Sequence, residues 1–188
     1  MKNEATIRII GGQFRGKKLH FPPIEGLRPT PDRVRETLFN WLMNDIRDAR
    51  CLDAFAGSGA LGFEAFSRGA AQVLLLEEAP KAYTNLLNIV SAFSSPKLSV
   101  KKADACEFLQ QTTEQFNIIF LDPPFAKNYL PQCLELIENS KILLADGLLY
   151  LESPHEIFVD ETIWQPIKLK KAGQIVYGLY KKAEPNRL

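Results

Sequence analysis

Cys51-Leu-Asp53-Ala-Phe-Ala-Gly57-Ser-Gly59-Ala-Leu-Gly62 joins an apolar run to a helical pattern through a glycine-rich turn. A short apolar run enters it, glycines spaced G-x-G-x-x-G punctuate it, and a helical pattern leaves it. Glycine lets the backbone turn tightly and approach a ligand, and a helix starting there aims its free N–H groups at whatever binds. Strand–turn–helix units of this kind build α/β sheets whose ligands sit beyond the carboxyl ends of the strands.

Downstream, the same alternation continues. Strands are expected at 50–54, 72–77, 97–102, 117–122 and 147–152, and helices near 60–68, 79–92, 104–111 and 128–140, with Gly69 as a helix C-terminal cap. Val73-Leu-Leu-Leu76 and Ile118-Ile-Phe-Leu121 are continuously apolar, as strands covered on both faces are. Two strand-like segments, 163–169 and 174–181, flank Gly173 with no helix between them. The expectation is a doubly wound α/β sheet, mostly parallel, closed by an antiparallel C-terminal hairpin.

Upstream, residues 6–21 alternate apolar and polar on both sides of Gly11-Gly12, which predicts a β-hairpin or small meander ended by Pro22-Pro23 and Gly26. A helix follows, with Thr30 as its cap, Pro31 at its first position and Asp32 at the positive end of its dipole. Val34, Leu38, Trp41 and Leu42 form its apolar stripe.

The net charge of +1 hides an asymmetry: residues 1–35 carry +5, residues 36–165 carry −9, and the tail from 166 carries +5. Basic ends around an acidic middle suggest a polyanion-binding surface, although acids that merely solvate helix faces explain the count equally well. No apolar run approaches the roughly 20 residues of a membrane span, and the N-terminus lacks a signal-peptide core, so a cytoplasmic address without membrane contact is expected. Cys51, Cys106 and Cys133 are scattered and lack metal-ligand spacing; they read as core residues, with no metal site.

Taken alone, the glycine turn fits a nicotinamide dinucleotide. Glu77, twenty residues beyond Gly57, could accept hydrogen bonds from ribose hydroxyls in either kind of nucleotide cofactor. Asp53 changes the balance, because a carboxylate at the strand's end would repel a pyrophosphate and welcome a cation. S-adenosylmethionine carries both an ammonium and a sulfonium. Loop capping remains open for Asp53, a solvated strand end for Glu77, and helix capping for Asp104, which stands where an acid can meet an adenine amino group.

Asp122-Pro123-Pro124-Phe125 follows an apolar strand at the sheet's carboxyl edge. The prolines stiffen the loop and leave its carbonyls as free acceptors. Asp122 and the Pro123 carbonyl can both accept from an amino group, and Phe125 offers a face for a base taken out of its stack. Two acceptors that bind an aromatic amine's hydrogens favour a tetrahedral nitrogen and aim its lone pair at a methyl donor. Transfer needs no covalent intermediate.

Across nearly the whole chain these residues resemble the RsmD family. The resemblance lies in Ile9-Ile-Gly-Gly-Gln-Phe-Arg-Gly-Lys-Lys-Leu19, Gly26-Leu-Arg-Pro-Thr-Pro-Asp-Arg-Val-Arg-Glu-Thr-Leu-Phe-Asn-Trp-Leu42, the run from Asp53 to Ala70, Asp122-Pro-Pro-Phe125 and Gly173-Gln-Ile-Val-Tyr-Gly-Leu-Tyr180. It implies a class I methyltransferase fold and methylation of a guanine N2 in 16S ribosomal RNA, within an assembling or assembled small subunit. It further implies that Asp53, Gly57, Gly59, Glu77, Asp104 and Ala105 hold S-adenosylmethionine and that Asp122, Pro123, Pro124 and Phe125 form the catalytic loop. Arg28, Thr30 and Arg33 would then lie near cofactor or target nucleotide. The acid often found two places after Glu77 is absent, so Glu77 and Glu78 compete for the ribose.

On this reading residues 1–27 form a basic hairpin extension that contacts RNA through Arg8, Arg15, Lys17 and Lys18, residues 28–188 form the methyltransferase domain, and the protein is a monomer. Phe14 could stack on a base or join the core. Two alternatives stand: an amino-nitrogen methyltransferase acting on adenine N6 or on protein, and a chain that methylates nothing, either an NAD-binding oxidoreductase or an inactive RNA-binding module.

Overall fold

A computed structural model describes residues 5–24, 29–124 and 129–183. Arg28 and Phe125 lie outside the described residues.

Two strands, β1 (Ala5–Arg8) and β2 (Lys18–Phe21), pair antiparallel as a separate two-stranded sheet, with Arg8 opposite Lys18. Their alternation is of the half-buried kind: Ile7, Leu19 and Phe21 face inward, while Thr6, Arg8, Lys18 and His20 face out. Helix α1 (Asp32–Trp41) follows.

The main sheet is built from β3 (Arg50–Asp53), β4 (Gln72–Glu77), β5 (Leu98–Lys102), β6 (Phe116–Leu121), β7 (Leu143–Ser153), β8 (Trp164–Ala172) and β9 (Ile175–Lys182). Their order is β5-β4-β3-β6-β7-β9-β8, parallel through β7 and antiparallel at the β7–β9 and β9–β8 pairs. Helices α2 (Ala60–Ser67), α3 (Pro80–Phe93), α4 (Ala105–Gln111) and α5 (Tyr129–Glu138) cross between the parallel strands. The doubly wound expectation holds, and so does the antiparallel hairpin. Strand β7 begins earlier than expected because Leu143 pairs with Phe116 before an irregularity in register.

Each face of the sheet carries its own core. Val34, Leu38, Phe39, Phe63 and Leu86 from α1, α2 and α3 pack on one side, together with Ile7, Leu19 and Phe21 of the small sheet. Phe108, Leu109, Cys133 and Ile137 from α4 and α5 fill the other. Cys106 and Cys133 are buried free thiols with sulfurs 3.7 Å apart, so all three cysteines are core residues. No helix among the described residues is long and apolar enough to cross a membrane.

The hairpin's turn is fastened to α2 rather than left projecting. The Glu64 carboxylate accepts the Ile10 and Gly11 amides, each at 2.8 Å, and Ser67 Oγ donates to the Gly11 carbonyl at 2.6 Å. Gly12 has φ +78°, and a Cβ there would meet the Ser67 carbonyl oxygen, so glycine is required. Phe14 stacks on Phe66 with ring centroids 5.2 Å apart and meets Phe93 edge-on. Of its two expected uses, packing is the one the structure displays.

Candidate active site at the carboxyl edge

Between β4 and β6, β3 sits where the strand order reverses, so the loops after β3 and β6 open side by side. Ligands of open α/β sheets bind at such a switch point. Asp53 ends β3, and Asp122 follows the last residue of β6.

The glycine turn has the conformation that its residue types demand. Gly57 (φ +54°) and Gly59 (φ +79°) are left-handed, and Gly59 is the N-cap of α2. Asp53 lies beneath this turn, only 2% exposed, and accepts the Gly62 amide at 2.9 Å. The loop-capping role weighed for it is therefore present in the structure. Burial pushes its carboxyl up to about 7; the Gly62 amide pulls it down, the Glu77 charge raises it and the Phe55 amide lowers it. Glu77 accepts the Gly57 amide through one oxygen and the Ala79 amide through the other, both at 2.8 Å. Glu77 is thus fixed against the turn. Asp104 caps α4 by accepting the Glu107 amide at 2.9 Å, with Ala105 buried behind it.

The expected cap on α1 is corrected. Pro31 is the N-cap and no side chain caps the helix, because the Thr30 hydroxyl donates instead to Asp122 Oδ2 at 3.1 Å. A residue 92 positions upstream thereby orients the acid that begins the Asp-Pro-Pro loop. Pro123 is buried and Pro124 exposed.

Sequence reasoning missed two members of the site, Tyr150 and Glu152. Continuing the Leu121–Leu151 register places Glu152 beside Asp122 on the neighbouring strand. Glu152 is 3% exposed and accepts the Tyr150 hydroxyl at 2.8 Å. Burial, then the Glu152 charge, holds Asp122 well above the usual carboxylate range, although the Thr30 hydroxyl lowers it and the Asp53 charge raises it further. Burial likewise raises Glu152, against the Tyr150 hydroxyl. A signal was available: Glu152 is a lone acid ending an apolar strand at the same edge as Asp53, Glu77 and Asp122.

No ion pair reaches Asp53, Asp122 or Glu152 from the described residues. Three crowded acids with raised proton affinity make a site that favours a cationic ligand and disfavours a pyrophosphate. The residues therefore fit a sulfonium cofactor. Among the described residues no three His, Cys, Asp or Glu side chains are grouped to hold a metal ion.

The basic residues divide. Arg15, Lys17, Lys18 and Arg33 are exposed. Lys17 Nζ lies 5.0 Å above the Phe93 ring, and Arg8 approaches Asp32 at 3.8 Å. Arg35, counted in the basic segment 1–35, is 1% exposed and paired with Asp32 and Glu64.

The family model described as conserved hypothetical protein 95 matches residues 7–181. Ribosomal RNA small subunit methyltransferase D of Escherichia coli K12 is 45% identical over 94% of this chain and 90% of the relative. The protein of the same name from Haemophilus influenzae is 41% identical over 94% of each. The solved structure of Escherichia coli yhhF superposes with a TM-score of 0.87 at 44% identity, covering 95% of this chain and 98% of that one.

Proposed function

The chain belongs to the conserved hypothetical protein 95 family, that of the ribosomal RNA small subunit methyltransferase D (RsmD) proteins, and on that premise we propose that it methylates the exocyclic N2 of a guanine in 16S ribosomal RNA. One observation carries the chemistry: a partly buried Asp122, oriented by Thr30, beside Asp53 and Glu152 with no compensating cation from the described residues. S-adenosylmethionine, when bound, supplies an electrophilic methyl group on a positive sulfur. Gly57, Gly59, Glu77, Asp104 and Ala105 form its cradle, and Asp53 holds the shape of the glycine turn from below while adding negative charge under the site.

Asp122 and the Pro123 carbonyl accept the two hydrogens of the target amine and hold its lone pair toward the methyl carbon. Orientation of that kind supplies much of the rate, and the negative charge of Asp122 stabilises the ammonium character that develops on nitrogen. Phe125, from its place in the sequence, serves as the stacking face for the extruded base, and Arg28 and Arg33 border the target nucleotide. The substrate is the RNA of an assembling or assembled small subunit in the cytoplasm, met by a monomer.

Arg15, Lys17 and Lys18, exposed around a turn that Glu64 and Ser67 hold in place, provide a fixed phosphate-binding ridge. Replacing all three with Ala is expected to weaken RNA binding and to lower the slope of log affinity against log salt by about 2, since each phosphate contact contributes about 0.7–0.9. Titrations at several salt concentrations measure this. An unchanged slope removes the hairpin from the interface.

A further inference from the structure

We propose that Glu152 is a positioning residue for methyl transfer, the neighbour whose charge readies Asp122 to take the proton that leaves the methylated nitrogen. The inference rests on the amine-methylation reading above and concerns a residue outside the glycine turn and the Asp-Pro-Pro-Phe loop.

The geometry comes from strand register. Phe120 and Tyr150 are paired across β6 and β7, and their rings meet at 6.2 Å in the core on the α1 side of the sheet. Side chains alternate along a strand, so Asp122 and Glu152, each two residues further on, emerge on that same side. Neighbouring strands run about 4.8 Å apart, which sets two carboxyl groups side by side. Each accepts a hydroxyl among the described residues, Asp122 from Thr30 in the loop before α1 and Glu152 from Tyr150 two residues back on its own strand. Among the described residues the other titratable groups around the pair are Tyr150 itself, Asp53 on β3 and Tyr177 on β9, which is paired with Glu152 in the sheet. None is a cation. Crowded carboxyl groups of this kind titrate together, so the charge on one raises the proton affinity of the other.

Methylation of an amine releases a proton that must go somewhere. The nitrogen lone pair forms the new N–C bond, the sulfur keeps the electron pair of the bond that breaks, and the nitrogen then carries one hydrogen too many. Asp122, which already accepts a hydrogen bond from that nitrogen in the proposed pose, takes the proton. Glu152 raises the readiness of Asp122 to do so: the Tyr150 hydroxyl favours its ionised form against the burial that opposes it, and its charge favours the protonated form of its neighbour. Asp122 is partly exposed and can then pass the proton to water, whereas Glu152 stays sealed.

Glu152→Gln keeps the shape and removes the charge. In single-turnover methylation of 16S RNA the rate is expected to fall about tenfold or more. The acid limb of its pH profile should move to lower pH by about one unit, because Asp122 loses the repulsion that raised it. Binding of S-adenosylhomocysteine should be little changed. Infrared titration of the free protein gives a readout without turnover: the carboxylic-acid band lost in Asp122→Asn should titrate at lower pH in Glu152→Gln. Tyr150→Phe should shift both readouts in the same direction by less, and it carries the test if Glu152→Gln fails to fold. An unmoved acid limb together with an unmoved band overturns the role of Glu152. A wild-type protein that methylates no RNA amine at all overturns the underlying reading, and this inference with it.

Discussion

Asp122→Asn is expected to abolish methyl transfer, by about 10³-fold or more, while leaving S-adenosylhomocysteine affinity and the folded state intact. An amide retains the shape but neither accepts the proton nor offsets charge on the amine, and each of those losses is worth about two to three powers of ten. The stability side of the expectation follows from the surroundings of Asp122. Its carboxyl lies well above its ordinary range in the folded protein, chiefly through burial and the Glu152 charge. A carboxyl raised by folding opposes folding once the pH exceeds its unfolded value, and the cost grows until the folded group ionises. Substitution by Asn removes that cost, so the melting temperature at neutral pH should hold or rise, with the difference vanishing below about pH 4. Single-turnover rates, calorimetric cofactor binding and thermal melts at two pH values measure the three quantities. Parallel loss of activity and cofactor affinity would instead place Asp122 in the cofactor pocket.

The second large effect concerns stability and lies away from the chemistry. Glu64 is fully buried and satisfies four donors: the Ile10 and Gly11 amides, Arg35 Nη1 at 3.4 Å and Arg68 Nε at 2.7 Å. It joins α2 to the hairpin turn and to α1. Glu64→Ala takes the buried acid from Arg35, leaving its guanidinium with only Asp32 and the Arg8 carbonyl among the described residues and an Nε that already lacks a partner. Removing one member of a buried ion pair costs about 3–5 kcal/mol. In a domain of this size that corresponds to a fall in melting temperature of roughly 10 °C. The turn around Gly11-Gly12 should become the first site of proteolytic cleavage, because its attachment to α2 runs through Glu64 and Ser67. Glu64→Gln, which retains an acceptor for part of the network, should lose less. A Glu64→Ala protein that melts within a degree or two of wild type would mean that the hairpin is held by its apolar face alone.

Much of this fold was legible because its signals are local. Glycines at 57 and 59 require positive φ, continuous apolar runs mark doubly covered strands, and the missing helix around Gly173 announces an antiparallel pair. What escaped was set by contacts distant in sequence. Thr30 carries every mark of a helix cap, yet Asp122, 92 residues away, takes its hydroxyl. Arg35 counts as surface charge in any tally of the basic N-terminus, but the Glu64 carboxylate brings it inside. Glu152 lies within a strand whose placement was correct; its partnership with Asp122 exists only once β6 and β7 are set in register. The acids at the strand ends could be picked out singly, whereas their mutual repulsion, which sets their proton affinities, is a property of the assembled sheet.

On the proposed function, Asp122 and its neighbours direct a methyl group to a guanine amino nitrogen of 16S RNA. Mass mapping of modified nucleosides in 16S RNA, from a strain lacking the gene and from the same strain complemented with it, tests this most directly. One N2-methylguanosine is expected to be absent from the first, restored by the wild-type gene and not restored by Asp122→Asn. A restored N6-methyladenosine, or 16S RNA identical in the two strains, would contradict it.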